Sequence, residues 1–399
     1  MSNFVAIDLG ASGTRYTSDS GKIALMPNNM VFIDTTTAVD MEPYDSAIEN
    51  ALEVVINKEG GLVLKKGDEE NTITETVFPA KALIGTMADR YASTNVRPSM
   101  LEHKYNQKIN YISVITAAAI SRLTQNVGED INLYIALPPT EIKKAKEIML
   151  TNLVGKYVVE FPKYLGGASV KLNVQNVCFF EESFMAMVSY FFTMQGTPKE
   201  EAKPFMAGQV LSLDIGASTT DIAIIRDGRY IDKSGQTFKE GGNIARDELI
   251  DLIREEYAFE LPIDDAERTM SEGRLQLGSS YKVISGLVTE AKKVLAKQVV
   301  SNIESYFQRK KIPLQSIKAI IVSGGGSMQS QYINENAEVV KTSEPLSKFV
   351  TEALMEISPN TKVVPYGDDA RLANIKGLFV RAKVDSVKAA KQAAATASN

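Results

Sequence analysis

Apolar positions along this chain alternate between two periods. Residues 4 to about 27 form short β-branched runs broken by small and polar residues, a pattern that predicts three strands. Helical spacing appears from Ile112 to Leu123, where Ile112, Ile115, Ala119, Ile120 and Leu123 share one face. A continuous apolar run, Ile131–Leu137, predicts a buried strand ended by Pro138-Pro139, and Thr140 is a candidate cap for the helix that follows. Strands are then predicted over 157–161 and 170–180, and a helix from Glu182 to Gln195. The second half repeats the scheme, with hairpins from Val210, helices over 245–257 and 288–308, and a strand from Ala319. Such alternation predicts an α/β fold with helices against a mixed sheet.

The same pattern suggests the domain plan. Domain I is expected over 1–204, with about 28–110 as an inserted small subdomain that has few periodic runs and a charged turn at 65–70. Polarity rises and proline appears at 195–204, so domain II is expected over 205–365. Residues 366–382 read as a C-terminal helix returning to domain I, and the Ala/Lys/Ser-rich stretch 383–399 as a disordered tail.

One motif occurs twice, as Phe4-Val-Ala-Ile-Asp-Leu-Gly-Ala-Ser-Gly-Thr14 and as Val210-Leu-Ser-Leu-Asp-Ile-Gly-Ala-Ser-Thr-Thr220. At one constant offset Asp8 falls on Asp214, Gly10 on Gly216, Ala11 on Ala217, Ser12 on Ser218 and Thr14 on Thr220. Two copies imply two related halves serving one ligand. Glycine lets backbone approach a ligand, successive N–H groups can line an anion-binding concavity, and the hydroxyls add donors, so the turn suits phosphate. An aspartate at the strand end would repel bare phosphate but would hold a hydrated Mg²⁺ that the phosphates also touch. Taken singly, each copy is equally a plain tight turn. Further on, an apolar run enters Gly324-Gly-Gly326, and Glu240-Gly-Gly-Asn243 opens an amphipathic stretch.

In this order the residues resemble the superfamily of actin, the 70-kDa heat-shock chaperones and the sugar kinases. The resemblance implies an actin-like fold, two ribonuclease-H-like α/β domains flanking a nucleotide cleft. It places phosphates on Gly10, Ala11, Ser12, Gly13, Thr14 and Arg15, and on Gly216, Ala217, Ser218 and Thr219. It places the nucleoside on Gly241, Gly242, Asn243, Lys292, Gly324, Gly325 and Gly326, and Mg²⁺ on Asp8 and Asp214 through water. In the superfamily a Glu or Gln at the start of the helix before the second phosphate loop positions the attacking water, which here matches Glu182; a helix-dipole role is the alternative. Asp8 and Asp214 complete the expected catalytic set. Arg15 stands where relatives carry a lysine at the β-phosphate, and an exposed strand arginine is the other reading; Lys292 and Lys293 resemble the helix flanking adenine, or are solvated helix-face lysines.

Leu133-Tyr-Ile-Ala-Leu-Pro-Pro-Thr-Glu141 and Glu182-Ser183 resemble elements of the ParM/StbA plasmid actins. That likeness covers most of the chain, with no specific match over 28–110 and 255–285. It implies an ATPase, with GTP as an alternative substrate, that forms filaments with itself and segregates plasmid DNA through a separate ParR-like adaptor.

Composition narrows the alternatives. The chain has 399 residues, 44% hydrophobic, with net charge −5, a balance that does not favour direct contact with nucleic acid or an anionic membrane. The single cysteine, Cys178, excludes an internal disulfide and reads as a buried strand residue; the single histidine, His103, reads as a surface or packing residue. With no spanning run and a first strand entered at once, the cytoplasm is the expected compartment. A heat-shock chaperone would need a further substrate-binding domain, and MreB- or FtsA-type actins a membrane helix. A small-molecule kinase would need a base for its acceptor. Another bacterial cytoskeletal actin, and a small-molecule kinase or monomeric ATPase switch of the same superfamily, stay as alternatives.

Overall fold

The computed structural model describes residues 2–11, 13–41, 48, 50–66, 72–91, 96–99, 102–164 and 166–397. Ser12 therefore lies outside the described residues. The chain divides into two compact units, Met1–Thr197 with Asn374–Asn399, and Pro198–Ala373.

The first unit is built on a nine-stranded sheet. Its spine is the hairpin Ser2–Leu9 and Gly13–Ser18, with Val127–Leu137 parallel to Ser2–Leu9 and Ala168–Glu181 parallel to Val127–Leu137. Ala24–Pro27 closes one edge. On the other side Gly155–Phe161 pairs antiparallel with Ala168–Glu181 and carries the sheet on through Ala51–Lys58, Ala80–Gly85 and Met30–Ile33. Three strands of the segment expected as an insertion thus continue the main sheet. The helix Lys108–Thr124 explains why the central strands read as unbroken apolar runs, because its face of Ile112, Ile115 and Ala119 joins Val5, Ile7, Leu133 and Ile135 in one core.

The second unit repeats the order. Gln209–Ile215 and Thr220–Arg226 form the hairpin, Ile317–Ser323 runs parallel to Gln209–Ile215, and Lys362–Pro365 runs parallel to Ile317–Ser323. Helices Gly242–Tyr257 and Ser285–Lys310 cover it with Leu249, Ile253, Leu295 and Val299. The duplicated motif therefore marks duplicated topology.

Several boundaries differ from expectation. The first unit ends at Thr197, because the linker packs on the second: Lys318 Nζ donates to Pro204 O at 2.6 Å and Lys362 Nζ lies over the Phe205 ring. The helix after Glu182 ends at Phe191, and the one after Pro139 starts at Ile142 with no side-chain cap. Residues 365–372 are strand end, turn and a 3₁₀ turn rather than helix, since Pro365 and positive-φ Gly367 interrupt the pattern. From there a single helix, Ala373–Ala397, runs through the stretch expected to be disordered; its alanines and lysines are strong helix formers and nothing in it breaks a helix. Cys178 is in its strand but half-buried. Among the described residues no helix is long and apolar enough to cross a membrane.

Candidate functional site

In the second unit the three glycine elements meet backbone to backbone. The phosphate-loop candidate closes on itself, with Gly216 N–H donating to Thr219 O at 2.8 Å. Gly242 N–H donates to Gly216 O at 2.9 Å and Asn243 N–H to Ala217 O at 2.7 Å, so the first turn of helix Gly242–Tyr257 is bonded to the loop. Thr220 Oγ1 donates to Glu240 O at 2.6 Å and fixes the approach to that turn. A Cβ on Gly241 would stand 2.6 Å from Thr219 N, 2.7 Å from Ser218 C and 2.8 Å from Ala217 O. Gly326 is equally constrained, since a Cβ there would lie 2.8 Å from Ile215 Cγ2 and 3.0 Å from Ile215 O.

Gly324 carries both constraints on a glycine. Its φ of 86° and ψ of 162° are open to glycine and little else. A Cβ would also collide with Asp214 Oδ1 and with the Ile215 carbonyl. The Asp214 carboxylate, 5% exposed at the strand end, is therefore walled by backbone. Directly across the hairpin from Asp214 stands buried Asp221, which accepts from Thr237 Oγ1 at 2.5 Å.

The first unit builds its half of the duplicated motif with different charges. Asp8, 4% exposed, faces Arg15 across the hairpin, and Arg15 Nη1 lies 3.5 Å from Asp8 Oδ2. The glycine turn is pinned by buried Asn28, whose Nδ2 donates to Gly10 O at 2.6 Å while its Oδ1 accepts from Thr14 Oγ1 at 2.7 Å. A Cβ on Gly10 would meet Gly13 O at 2.9 Å and Arg15 Nη1 at 2.8 Å.

Glu182 is the first residue of helix Glu182–Phe191 and is 7% exposed. Its Oε1 accepts from Lys104 Nζ at 2.5 Å. Burial would lower the pKa of Lys104, but Glu182, Asp8 and Glu141 outweigh it and hold the ammonium above its ordinary value. Lys104 is in turn clamped by Glu141, whose Oε2 accepts the Lys104 backbone N–H at 2.8 Å. His103 is an exposed neighbour stacked on Tyr105 and 3.6 Å from Glu141.

The structure thus gathers Asp8, Gly10, Gly13, Thr14, Arg15 and Glu182 in one unit, and Asp214, Gly216–Thr219, Gly241–Asn243 and Gly324–Gly326 in the other. Lys292, which the resemblance places beside the nucleoside, has its amine among protein oxygens. Its buried amine reaches Ser343 Oγ at 2.8 Å and Met328 O, Ser330 Oγ and Glu344 O at 3.1 Å each, which fills its three N–H donors with protein oxygens. Lys293 is the solvated helix-face lysine, paired with Glu290. Lys104 and Asn28 had no signal in the sequence beyond being polar residues in a segment without period.

Solved structures share this architecture. The actin-like protein Alp7A superposes with a TM-score of 0.69 at 18% identity, covering 100% of both chains. The chain has the actin-like fold. Two further actin-like structures show the same likeness. Ta0583, an archaeal actin homologue in complex with ADP, matches with a TM-score of 0.60 at 18% identity over 96% of this chain and 99% of its own. A 15-stranded ParM filament from Clostridium botulinum matches with a TM-score of 0.63 at 17% identity over 96% and 99%. Residues 212–332, most of the glycine-lined unit, match the family described as archaeal actin homologue MreB-like, C-terminal. No curated protein sequence matches the chain.

Among the described residues no three His, Cys, Asp or Glu side chains cluster as a metal cage. Buried carboxylates at two strand ends, Asp8 and Asp214, suit an ion that keeps most of its waters.

Proposed function

We propose that this actin-like protein binds ATP or GTP with Mg²⁺, hydrolyses it, and assembles with itself into filaments in the cytoplasm. The observation that carries the reading is the glycine cradle, where Gly241, Gly324 and Gly326 leave no room for a single methyl group around Asp214 and the Gly216–Thr219 turn. Backbone this close is what a phosphate and a flat nucleoside demand. Gly10–Thr14 and Gly216–Thr219 take phosphate oxygens, Arg15 adds charge at the β-phosphate, and Gly241–Asn243 with Gly324–Gly326 take the nucleoside. A Mg²⁺ held through water by Asp214 would neutralise phosphate charge, and Asp8 is the matching carboxylate of the first unit. Glu182, fixed at a helix start, orients water towards the terminal phosphate.

The cellular role we infer is segregation of plasmid DNA, with a ParR-like DNA-binding protein as adaptor. The support is the Leu133–Glu141 and Glu182-Ser183 likeness, the fold shared with a ParM that forms filaments, and a net charge that leaves DNA to a partner. Right-angle light scattering with phosphate release tests the activity. After ATP or GTP and Mg²⁺ are added, scattering should rise above a critical concentration and decay as phosphate appears. Phosphate release with no scattering across a range of salt would instead mark a kinase or a monomeric ATPase switch. Glu182→Ala should bind nucleotide and assemble but release phosphate about 10²–10⁴-fold more slowly. Pull-down on plasmid partition DNA with and without a ParR-like DNA-binding protein tests the role.

A further inference from the structure

We propose that Lys104 is the positioning residue of the hydrolytic step, holding Glu182 at the water-facing start of its helix, and that Glu141 sets Lys104. The inference rests on the hydrolase reading above. Three observations carry it. Lys104 Nζ donates to Glu182 Oε1 at 2.5 Å with the carboxylate side chain only 9% exposed and the lysine 23%, so the carboxylate end of the pair is largely shielded from competing water. The Lys104 backbone is fixed on both sides: its N–H donates to Glu141 Oε2 at 2.8 Å, and its carbonyl accepts from Asn110 Nδ2 at 2.9 Å. Asp8, at the end of the first phosphate hairpin, acts on the same ammonium electrostatically, which ties the cation to the phosphate-loop carboxylate as well as to Glu182.

The chemistry follows from these positions. A carboxylate that orients water needs its direction fixed, and the Lys104 donor on Oε1 supplies that direction. Glu141 reaches Lys104 through the backbone, so it sets where the ammonium sits without adding a second acceptor to it.

The experiment measures phosphate release and nucleotide binding on the full chain for Lys104→Met, Lys104→Arg and Glu141→Gln, alone and with Glu182→Ala. We expect Lys104→Met to lose about a hundredfold in kcat with KM changed less than about threefold, because a misplaced group costs turnover rather than binding. Assembly on a non-hydrolysable ATP analogue should persist, Lys104→Arg should recover most of the rate, and Lys104→Met should cost nothing further in the Glu182→Ala background. Wild-type kcat in Lys104→Met, or an equal loss on top of Glu182→Ala, would overturn the assignment. Should the wild-type chain show no hydrolysis, the proposed function fails, and the pair is read by thermal unfolding instead. Melting-temperature losses of Lys104→Met and Glu182→Ala that fail to add in the double variant support the held pair, and additive losses overturn it.

Discussion

Replacing Gly241 by alanine adds one methyl group at a crowded backbone crossing of the second unit. At φ −143° the backbone there is ordinary extended chain, so the substitution carries no conformational strain and its effect is steric alone. The new carbon would stand 2.6 Å from Thr219 N, where ordinary contact begins at 3.4 Å, so the turn must retreat by about 0.8 Å. Retreat on that scale stretches the bonds from Gly242 N–H to Gly216 O and from Asn243 N–H to Ala217 O, now 2.9 and 2.7 Å. Overpacking of this kind costs about 1–3 kcal/mol, or roughly 3–10 °C in melting temperature for a unit of this size. Nucleotide affinity should fall further, by about a hundredfold, because the displaced turn is the one proposed to take the phosphates. Titration of a fluorescent ATP analogue read beside a calorimetric melt separates the two losses. Gly286→Ala is the control: it lies in the first turn of helix Ser285–Lys310 with nothing within 4 Å, and should be neutral or slightly stabilising. Wild-type affinity in Gly241→Ala would refute the contact geometry and with it the cradle.

Three further outcomes are expected. Asn28→Ala strands the Gly10 carbonyl and the Thr14 hydroxyl, and urea unfolding should show a loss of about 1–3 kcal/mol together with weaker nucleotide binding. Gly377→Ala drives a methyl group into the Met185 carbonyl, so a large drop in melting temperature is expected with no selective effect on KM in whatever protein stays folded. Burial lowers Lys292 from 10.5 to about 8. The unfolded chain then binds the extra proton between those values, so the cost of burying this ammonium is full below pH 8 and is relieved as pH rises to about 10.5. The urea midpoint of wild type relative to Lys292→Met should accordingly rise across that window, and a flat difference would contradict the shift.

What could be read from the sequence follows from what leaves a local trace. The two hairpins were legible because a strand running into Asp-x-Gly-Ala-Ser is written in consecutive residues, and a second copy at fixed offset removes the ambiguity of one. Glu182 was legible as the acid at the junction of strand and helix. Lys104 was not, since its role depends on a fold that brings residue 104 to residue 182, and its own segment has no period to place it. The surroundings of Lys292 were hidden for a related reason: the resemblance placed it on a helix flanking adenine, but no local pattern told that loops at 328–330 and 343–344 would surround its amine with oxygens. The 383–399 segment was misread because its composition, poor in bulky apolar residues, is read equally as a tail or as an alanine-rich helix, and the helix Ala373–Ala397 already under way decides between them.

Gly377 shows how tolerance to mutation and closeness to chemistry come apart. It sits on the C-terminal helix where that helix rests on the backbone of Met185, inside the helix that begins with Glu182, and it has no part in the cradle or the phosphate loops. A survey of every substitution scored by activity alone would nonetheless rank position 377 beside Gly241 and Gly324, since all three forbid a side chain. Only a survey scored separately for abundance would sort them, with Gly377 falling by its effect on how much folded protein exists and the cradle glycines by what the folded protein can bind.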